Sequence, residues 1–332
     1  MKKINTKKRV LSGIRATGRL HLGNYLGAVK GFLTLQDNPE YQCLYMVADV
    51  HGVTTPYRVE ELRQNRREVI VDYLAAGLDP DKSILFQQAD VVEHIELAFC
   101  FSSVVTMAKM QHLPTFKEKA KQYPKHVTMA LLNYPVLMAA DILVYKAGLV
   151  PVGIDQEPHL EVAREIARSM NQKYGTDFPE PVRFDTPGRY VPSLTGEGKM
   201  SKSVEGSYIQ LTDDLAMIKK RLAAAPTDSG KGKSVPGVGG VANLLTMVEL
   251  IEGKDKREVY EKQYIGNGIR YGDLKNELAE AIDKELAPIR AKRKELEANP
   301  KYVDEVIVQG AEKARAIARK TVDEVKEKMG LL

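Results

Sequence analysis

LSGIRATGRLHLGNYLG, residues Leu11 to Gly27, decides the fold. It reads as a buried strand, a glycine-rich turn and the opening of a helix. Leu11 and Ile14 lie in the apolar run, and Tyr25, Leu26 and Val29 continue with helical spacing. Gly13, Gly18 and Gly23 allow sharp turning or close approach of a ligand to the backbone. A strand–turn–helix unit of this kind aims unpaired backbone N–H groups and a positive helix end at any anion that docks there. His21 and Asn24 are three apart on the first turn and share a face. Both can hydrogen-bond phosphate or ribose oxygens, and His21 can carry charge. The same pair would also serve simply as helix caps, so the stretch alone leaves both roles open.

Working outward, Cys43 to Val50 is a second, almost wholly apolar strand, as expected in a parallel sheet covered on both faces. Asp49 and His51 fall at its carboxyl end, where doubly wound sheets bind ligands. Arg58 to Leu78 reads as an amphipathic helix ending at Gly77, and Lys82 to Gln87 as a third strand. Alternating strands and helices predict an α/β fold, a doubly wound parallel sheet of Rossmann-like type. Glu93 to Met110 reads as helical. His112 to His126 holds Lys117, Lys119, Lys121 and Lys125 against Glu118, either a solvated face or a cationic surface near a triphosphate.

Thr128 to Leu149 is the most informative helical segment. Met138, Asp141 and Ile142 share one face, and a carboxylate among apolar residues is costly to bury unpaired. Asp141 is either an acceptor satisfied inside the fold or a specificity group for a ligand's lone donor in an apolar pocket. Val150 to Val152 reads as a short strand, with side chains 150 and 152 pointing the same way. Asp155 reads as the N-cap of a helix to Met170, with Pro158 in its first turn. Gln156 and His159 fall towards the sheet edge, where a ligand contact is plausible. Gly196 to Ser203, GEGKMSKS, reads as a mobile loop that brings two lysines and two hydroxyls to a polyphosphate.

Beyond Tyr208 the pattern becomes helical, with Asp213–Asp214 capping a basic helix and an exposed loop from Ala225 to Gly240. Val303 to Leu332 reads as one long helix broken at Gly310. The 332 residues can bury a large core in more than one domain, and the net charge of +5 permits a polyanionic partner. Cys43 and Cys100 are too few for a metal cluster or disulfide framework and read as buried thiols. No apolar run is long enough to span a bilayer, and no signal core follows the basic N-terminus, so a cytoplasmic protein without a membrane partner is expected.

The H-x-G-N of His21 to Asn24 and the K-M-S-K-S of Lys199 to Ser203 resemble the two nucleotide-binding motifs of class I aminoacyl-tRNA synthetases. Met138 to Leu143, Val150 to Gln156 and His159 to Glu161 narrow the resemblance to bacterial-type tryptophanyl-tRNA synthetases, over nearly the whole chain. The resemblance implies that tryptophan and ATP, with Mg²⁺ carried by ATP and no protein-held metal, give tryptophanyl-adenylate and pyrophosphate. The tryptophanyl group then passes to tRNA(Trp). It implies a catalytic domain over residues 1–207, an all-helical anticodon-binding domain over 208–300, a terminal helix over 301–332 packed back towards the catalytic domain, and a homodimer.

Carried over by motif, His21, Asn24, Lys119, Lys199 and Lys202 would act in the transfer. Arg15, Ala16, Thr17, Gly23, Asn24, Gly153, Ile154, Asp155, Val191, Lys199, Met200, Ser201, Lys202 and Ser203 would hold ATP. Asp141 would accept the indole N–H between Leu11, Gly13, Met138, Ile142, Val150 and Val152, with Tyr134, Gln156 and His51 at the ammonium and carboxylate ends. Tyrosyl-tRNA synthetases share the architecture but usually carry a tyrosine where this chain has Leu11, which favours tryptophan. A non-catalytic tryptophan- or RNA-binding paralogue would have no reason to keep the phosphate motifs, and a small-molecule adenylyltransferase would not need the helical final third. Two departures stand out: Arg15-Ala16-Thr17-Gly18 replaces the common Gln-Pro-Ser-Gly, and Ile154 stands where a polar residue is frequent.

Overall fold

The computed structural model describes residues 7–184, 190–202 and 204–332. Among these, five strands form one parallel sheet in the order β3-β2-β1-β4-β5. They are β1 (Lys8–Arg15), β2 (Tyr41–Ala48), β3 (Ser83–Gln87), β4 (Leu149–Val150) and β5 (Val182–Arg183). The chain runs from β1 outward to β3 and then crosses to β4 on the other side. The switch point therefore lies at the carboxyl end of β1, beside the stretch that opens the sequence.

After β1 the chain turns through Gly18, whose φ of +126° disfavours any side chain, into α1 (Leu22–Asn24). A π-helical turn (Tyr25–Val29) leads into α2 (Lys30–Gln36). Helix α3 (Val59–Ala75) returns along the sheet and stops just before Gly77, at φ +106°. The segment expected as one helix from Glu93 to Met110 is instead α4 (Glu93–Phe101), a single 3-10 turn and α5 (Met107–His112). Thr106 leaves helical geometry to cap α5 through Lys109 N–H, and the break lies there. Helices α6 (Pro114–Gln122), α7 (Met129–Leu143) and α8 (Glu157–Tyr174) complete this half.

Two expectations at the α7–α8 junction need correction. Helix α7 ends at Leu143, six residues before Leu149, because Lys146 adopts a left-handed φ of +47°. Asp155 does not cap α8. It lies inside a 3-10 turn (Ile154–Gln156), Gln156 takes the cap position without a side-chain bond, and only Pro158 in the first turn is as expected.

The last third is α9 (Leu215–Ala223), capped by Asp214, then α10 (Gly240–Glu252), α11 (Lys254–Ile265), α12 (Tyr271–Ala298) and α13 (Pro300–Lys328). One apolar cluster lies on the β1–α3 side and continues without a gap into Leu222, Leu245, Leu278 and Leu286 of these helices. The other joins Leu11, Phe86, Leu97, Ile142 and Val150 with Ala314, Ala318 and Val322 of α13. Helix α13 thus starts in one core and ends in the other, crossing the sheet at its edge strand β3. Gly310 marks the crossing and does not break the helix. A Cβ there would stand 1.7 Å from the Leu85 carbonyl oxygen, so only glycine lets the helix cover the edge this closely. Cys43 and Cys100 are free and buried. Among the described residues no helix is long and apolar enough to cross a membrane.

Candidate active site

The two phosphate-type motifs meet. His21 and Asn24 form a reciprocal capping box: Asn24 N–H donates to His21 Nδ1 at 3.3 Å, and His21 N–H donates to Asn24 Oδ1 at 3.2 Å. Capping therefore occupies one atom of each side chain and leaves His21 Nε2 and Asn24 Nδ2 for a ligand. His21 does not carry the charge allowed above. Burial, with Lys202 nearby, pushes its pKa down to about 4, so the ring is neutral at pH 7. Gly23 is required sterically: a Cβ would lie 2.9 Å from the His21 ring and 3.1 Å from Met200 Cβ.

The second loop lies directly against this turn. Met200 is buried, and its N–H donates to Val191 O at 2.9 Å. Lys202 Nζ reaches within 3.3 Å of the position a Gly18 Cβ would occupy, and burial lowers its pKa to about 8. Lys199 is mostly exposed, 3.9 Å from Asp155 Oδ2. Ser201 follows Met200, and Ser203 lies outside the described residues. Gly153, Ile154 and Asp155 form an open rim at the end of β4, with Ile154 74% exposed. A Gly153 Cβ would come within 2.4 Å of Asp155 Oδ1, so a side chain there would turn the exposed Asp155 carboxylate aside. Ala16 is buried and Thr17 exposed on the first loop. Lys119 is not drawn to either loop; its amine donates to Gln122 on its own helix at 2.8 Å. Arg15 donates to the His51 carbonyl at 2.9 Å and to Thr55 Oγ1 at 3.3 Å, and its Nε is buried without a partner.

Below the rim one acid lies among buried apolar side chains. Leu11, Ile142 and Val150 are fully buried, Met138 and Val152 partly so, and Gly13 packs on Met46, which a Cβ would overlap at 2.7 Å. Asp141 is 0% exposed. Its Oδ1 accepts from Gln88 Nε2 and from His94 Nδ1, both at 2.6 Å, and its Oδ2 accepts from His51 Nε2 at 2.8 Å. Burial works to raise its pKa, but His51 and His94 outweigh it and hold the carboxyl at about 2. A carboxylate has about four acceptor positions. Three are filled, and one remains on Oδ2. His94 donates from Nδ1 to Asp141, and its Nε2 lies 2.7 Å from the Tyr145 hydroxyl.

Tyr134 and Gln156 are joined through His159. Gln156 Oε1 accepts from His159 Nδ1 at 2.9 Å, and the Tyr134 and Thr115 hydroxyls both lie 2.8 Å from His159 Nε2, whose single lone pair accepts from one of them. Sequence reasoning passed over Gln88, His94 and Tyr145. Two signals were present: Gln88 follows the carboxyl end of an apolar strand, and His94 shares the spacing of Leu97, Ala98 and Phe101 on a buried helix face. Asp49, also at a strand end, is occupied structurally by the Val50 and Ala89 N–H groups and by Arg66.

Residues 2–287 match the family described as tRNA synthetases class I (W and Y). The chain is 42% identical over 330 residues to the tryptophan–tRNA ligase of Porphyromonas gingivalis, covering 97% of this chain and 98% of that protein. Its fold is similar to the crystal structure of tryptophanyl-tRNA synthetase from Mycoplasma pneumoniae, with TM-score 0.85, 32% identity, and 98% and 99% of the two chains covered. The Campylobacter jejuni tryptophanyl-tRNA synthetase complexed with ADP and tryptophan gives TM-score 0.83 at 32% identity, covering 97% of this chain and all of that one.

Proposed function

Because the chain belongs to the class I tRNA synthetases of the tryptophan and tyrosine group, we propose that it activates L-tryptophan with ATP and transfers the product to tRNA(Trp). The observation that carries this reading is Asp141, an ionised acid in an apolar pocket with one acceptor position left. That position suits the single N–H of an indole, and the walls offer a tyrosine hydroxyl no second polar partner at Leu11.

The tryptophan carboxylate has a pKa of about 3.5 and is already an anion at neutral pH. It attacks the α-phosphorus of MgATP; one P–O bond forms as the bond to the β-phosphate breaks, and pyrophosphate departs with the metal. The chain aligns and stabilises. Asp141 and the pocket walls fix the indole, and Tyr134 and Gln156 meet the amino-acid head. The α1 N-terminus, His21 Nε2 and Asn24 bind phosphate oxygens, while Gly153 to Asp155 and Val191 hold adenine and ribose. Lys199 and Lys202 neutralise the charge moving onto pyrophosphate. The tryptophanyl group then passes from the adenylate to tRNA with release of AMP, the helices from 208 to 300 reading the anticodon. The cytoplasm is the place of this reaction, in keeping with two free buried thiols.

Tryptophan-dependent ATP–pyrophosphate exchange tests the assignment. Exchange is expected with tryptophan and at least about 100-fold less with tyrosine or phenylalanine. Equal exchange with tyrosine would replace the reading by the tyrosyl one, and no exchange with any amino acid would favour a binding paralogue.

We further infer a homodimer. Val92 just before α4, Ile95 and Phe99 on α4 and Met107 on α5 are exposed apolar side chains, with Phe99 83% exposed, which a second copy would cover. Light scattering should give twice the chain mass, and Phe99→Asp should give a monomer. A wild-type monomer at micromolar concentration would refute the dimer.

A further inference from the structure

We propose that Arg293, on helix α12, is a positioning residue for the first phosphate loop, acting through the two acids of α3 that hold that loop. This rests on the reading of the loop as the ATP site.

The geometry is specific. Arg293 is 3% exposed, and each of its three guanidinium nitrogens holds an acid: Nη1 donates to Asp72, Nη2 to Glu68 and Nε to Glu297 Oε1 at 2.9 Å. Asp72 and Glu68 lie one turn apart on α3 and therefore share a face. Each holds one of two consecutive loop residues: Asp72 Oδ2 accepts the Leu20 N–H at 2.6 Å, and Glu68 Oε2 accepts from Arg19 Nε at 2.8 Å. Leu20 immediately precedes His21, the cap of α1. One planar fork thus fixes two acids, the acids fix residues 19 and 20, and these set the direction in which the α1 N–H groups emerge.

The same hub reaches the second loop. Asp72 is fully buried, and its charge favours the protonated form of Lys202. Among the described residues, the charged groups around Asp72 are Arg293 and, through it, Glu297 on α12, Glu68 on its own helix, Arg19 on the loop and Lys202. Burial pushes the Asp72 pKa up to about 6, against the opposing pull of Arg293 and Leu20 N–H. Removing the guanidinium takes away the main group that keeps Asp72 ionised, so its pKa must rise further. The ionised carboxylate is the form that accepts from Leu20 while balancing Lys202. Activity that needs it will then appear only at higher pH.

The test uses the full chain as Arg293→Met and Arg293→Lys, followed by tryptophan-dependent exchange from pH 5.5 to 8. For Arg293→Met, kcat/KM for ATP is expected to fall about tenfold or more while KM for tryptophan stays within about twofold, since misplacement at a phosphate site costs at least this much. The acid limb of the profile should move up by about one pH unit. Arg293→Lys keeps the charge but not the fork. It should return the limb to its wild-type position and recover only part of the ATP term. Lower thermal stability with unchanged ATP parameters and an unchanged limb would overturn the proposal and leave a purely structural bridge. Equal losses in ATP and tryptophan terms would overturn it as general damage. If Arg293→Met does not fold, Arg293→Lys decides: ATP parameters identical to wild type refute the role of the fork. Absence of exchange in the wild type would instead fail the functional reading itself.

Discussion

Asp141→Asn is expected to lower kcat/KM for tryptophan by about 100-fold or more, which is about 2.7 kcal/mol of lost transition-state binding, with KM for ATP nearly unchanged. The argument is a count of lone pairs. The carboxylate serves Gln88 and His94 on Oδ1 and His51 on Oδ2. The asparagine oxygen can keep the first two. Its amide N–H₂ then occupies the Oδ2 position, where the His51 ring can change tautomer and accept. The fold survives, but the open acceptor has become a donor and faces the indole N–H donor. A tryptophan isostere with sulfur in place of the ring N–H should be almost indifferent to the change. The measurement is the ratio of exchange rates with the two amino acids, large in the wild type and near one in Asp141→Asn. Equal losses for both would mean that Asp141 only supports the core.

Lys202→Met is the second large effect. It should slow adenylate formation by about 100- to 1000-fold, the range seen when one preorganised charged donor is removed from a developing anion. Tryptophan affinity should stay near normal, because Lys202 touches the Gly18 turn and not the pocket. A pH signature separates its charge from its bulk. Burial holds the Lys202 pKa down at about 8, so in the free enzyme the ammonium is present below that pH and lost as pH rises through it. Wild-type kcat/KM for ATP should therefore decline above about pH 8, and the variant should lack this limb. Pre-steady-state rates unaffected by the substitution would remove Lys202 from the reaction.

Much of this was legible in the chain itself. Apolar strands separated by amphipathic helices fixed an α/β doubly wound sheet. The glycine turn before His21 marked the passage from β1 into a helix, because glycine spacing and helix periodicity are local properties. Asp141 between Met138 and Ile142 marked a buried carboxylate with partners, because an acid on an apolar helix face needs them. The local signals also misled. Asp155 has the composition of a cap but sits inside the 3-10 turn Ile154–Gln156, one residue before the position that caps α8. Gly310 resembles a break and is in fact a contact, since what it avoids is the Leu85 carbonyl, more than two hundred residues earlier.

The sequence by itself determined the sheet, the order of the motifs and the residue types available to meet a triphosphate and an indole. Such features follow from periodicity and from backbone constraints acting within a few residues. Only the tertiary structure decided which of those side chains are free. It showed that three donors leave Asp141 one acceptor, that burial makes His21 neutral, and that Lys119 bonds within its own helix. It also joined Arg293 to Leu20 through a buried acid. The reason is physical: hydrogen-bond valence and desolvation depend on every neighbour in space, and nearly all of these neighbours are distant along the chain.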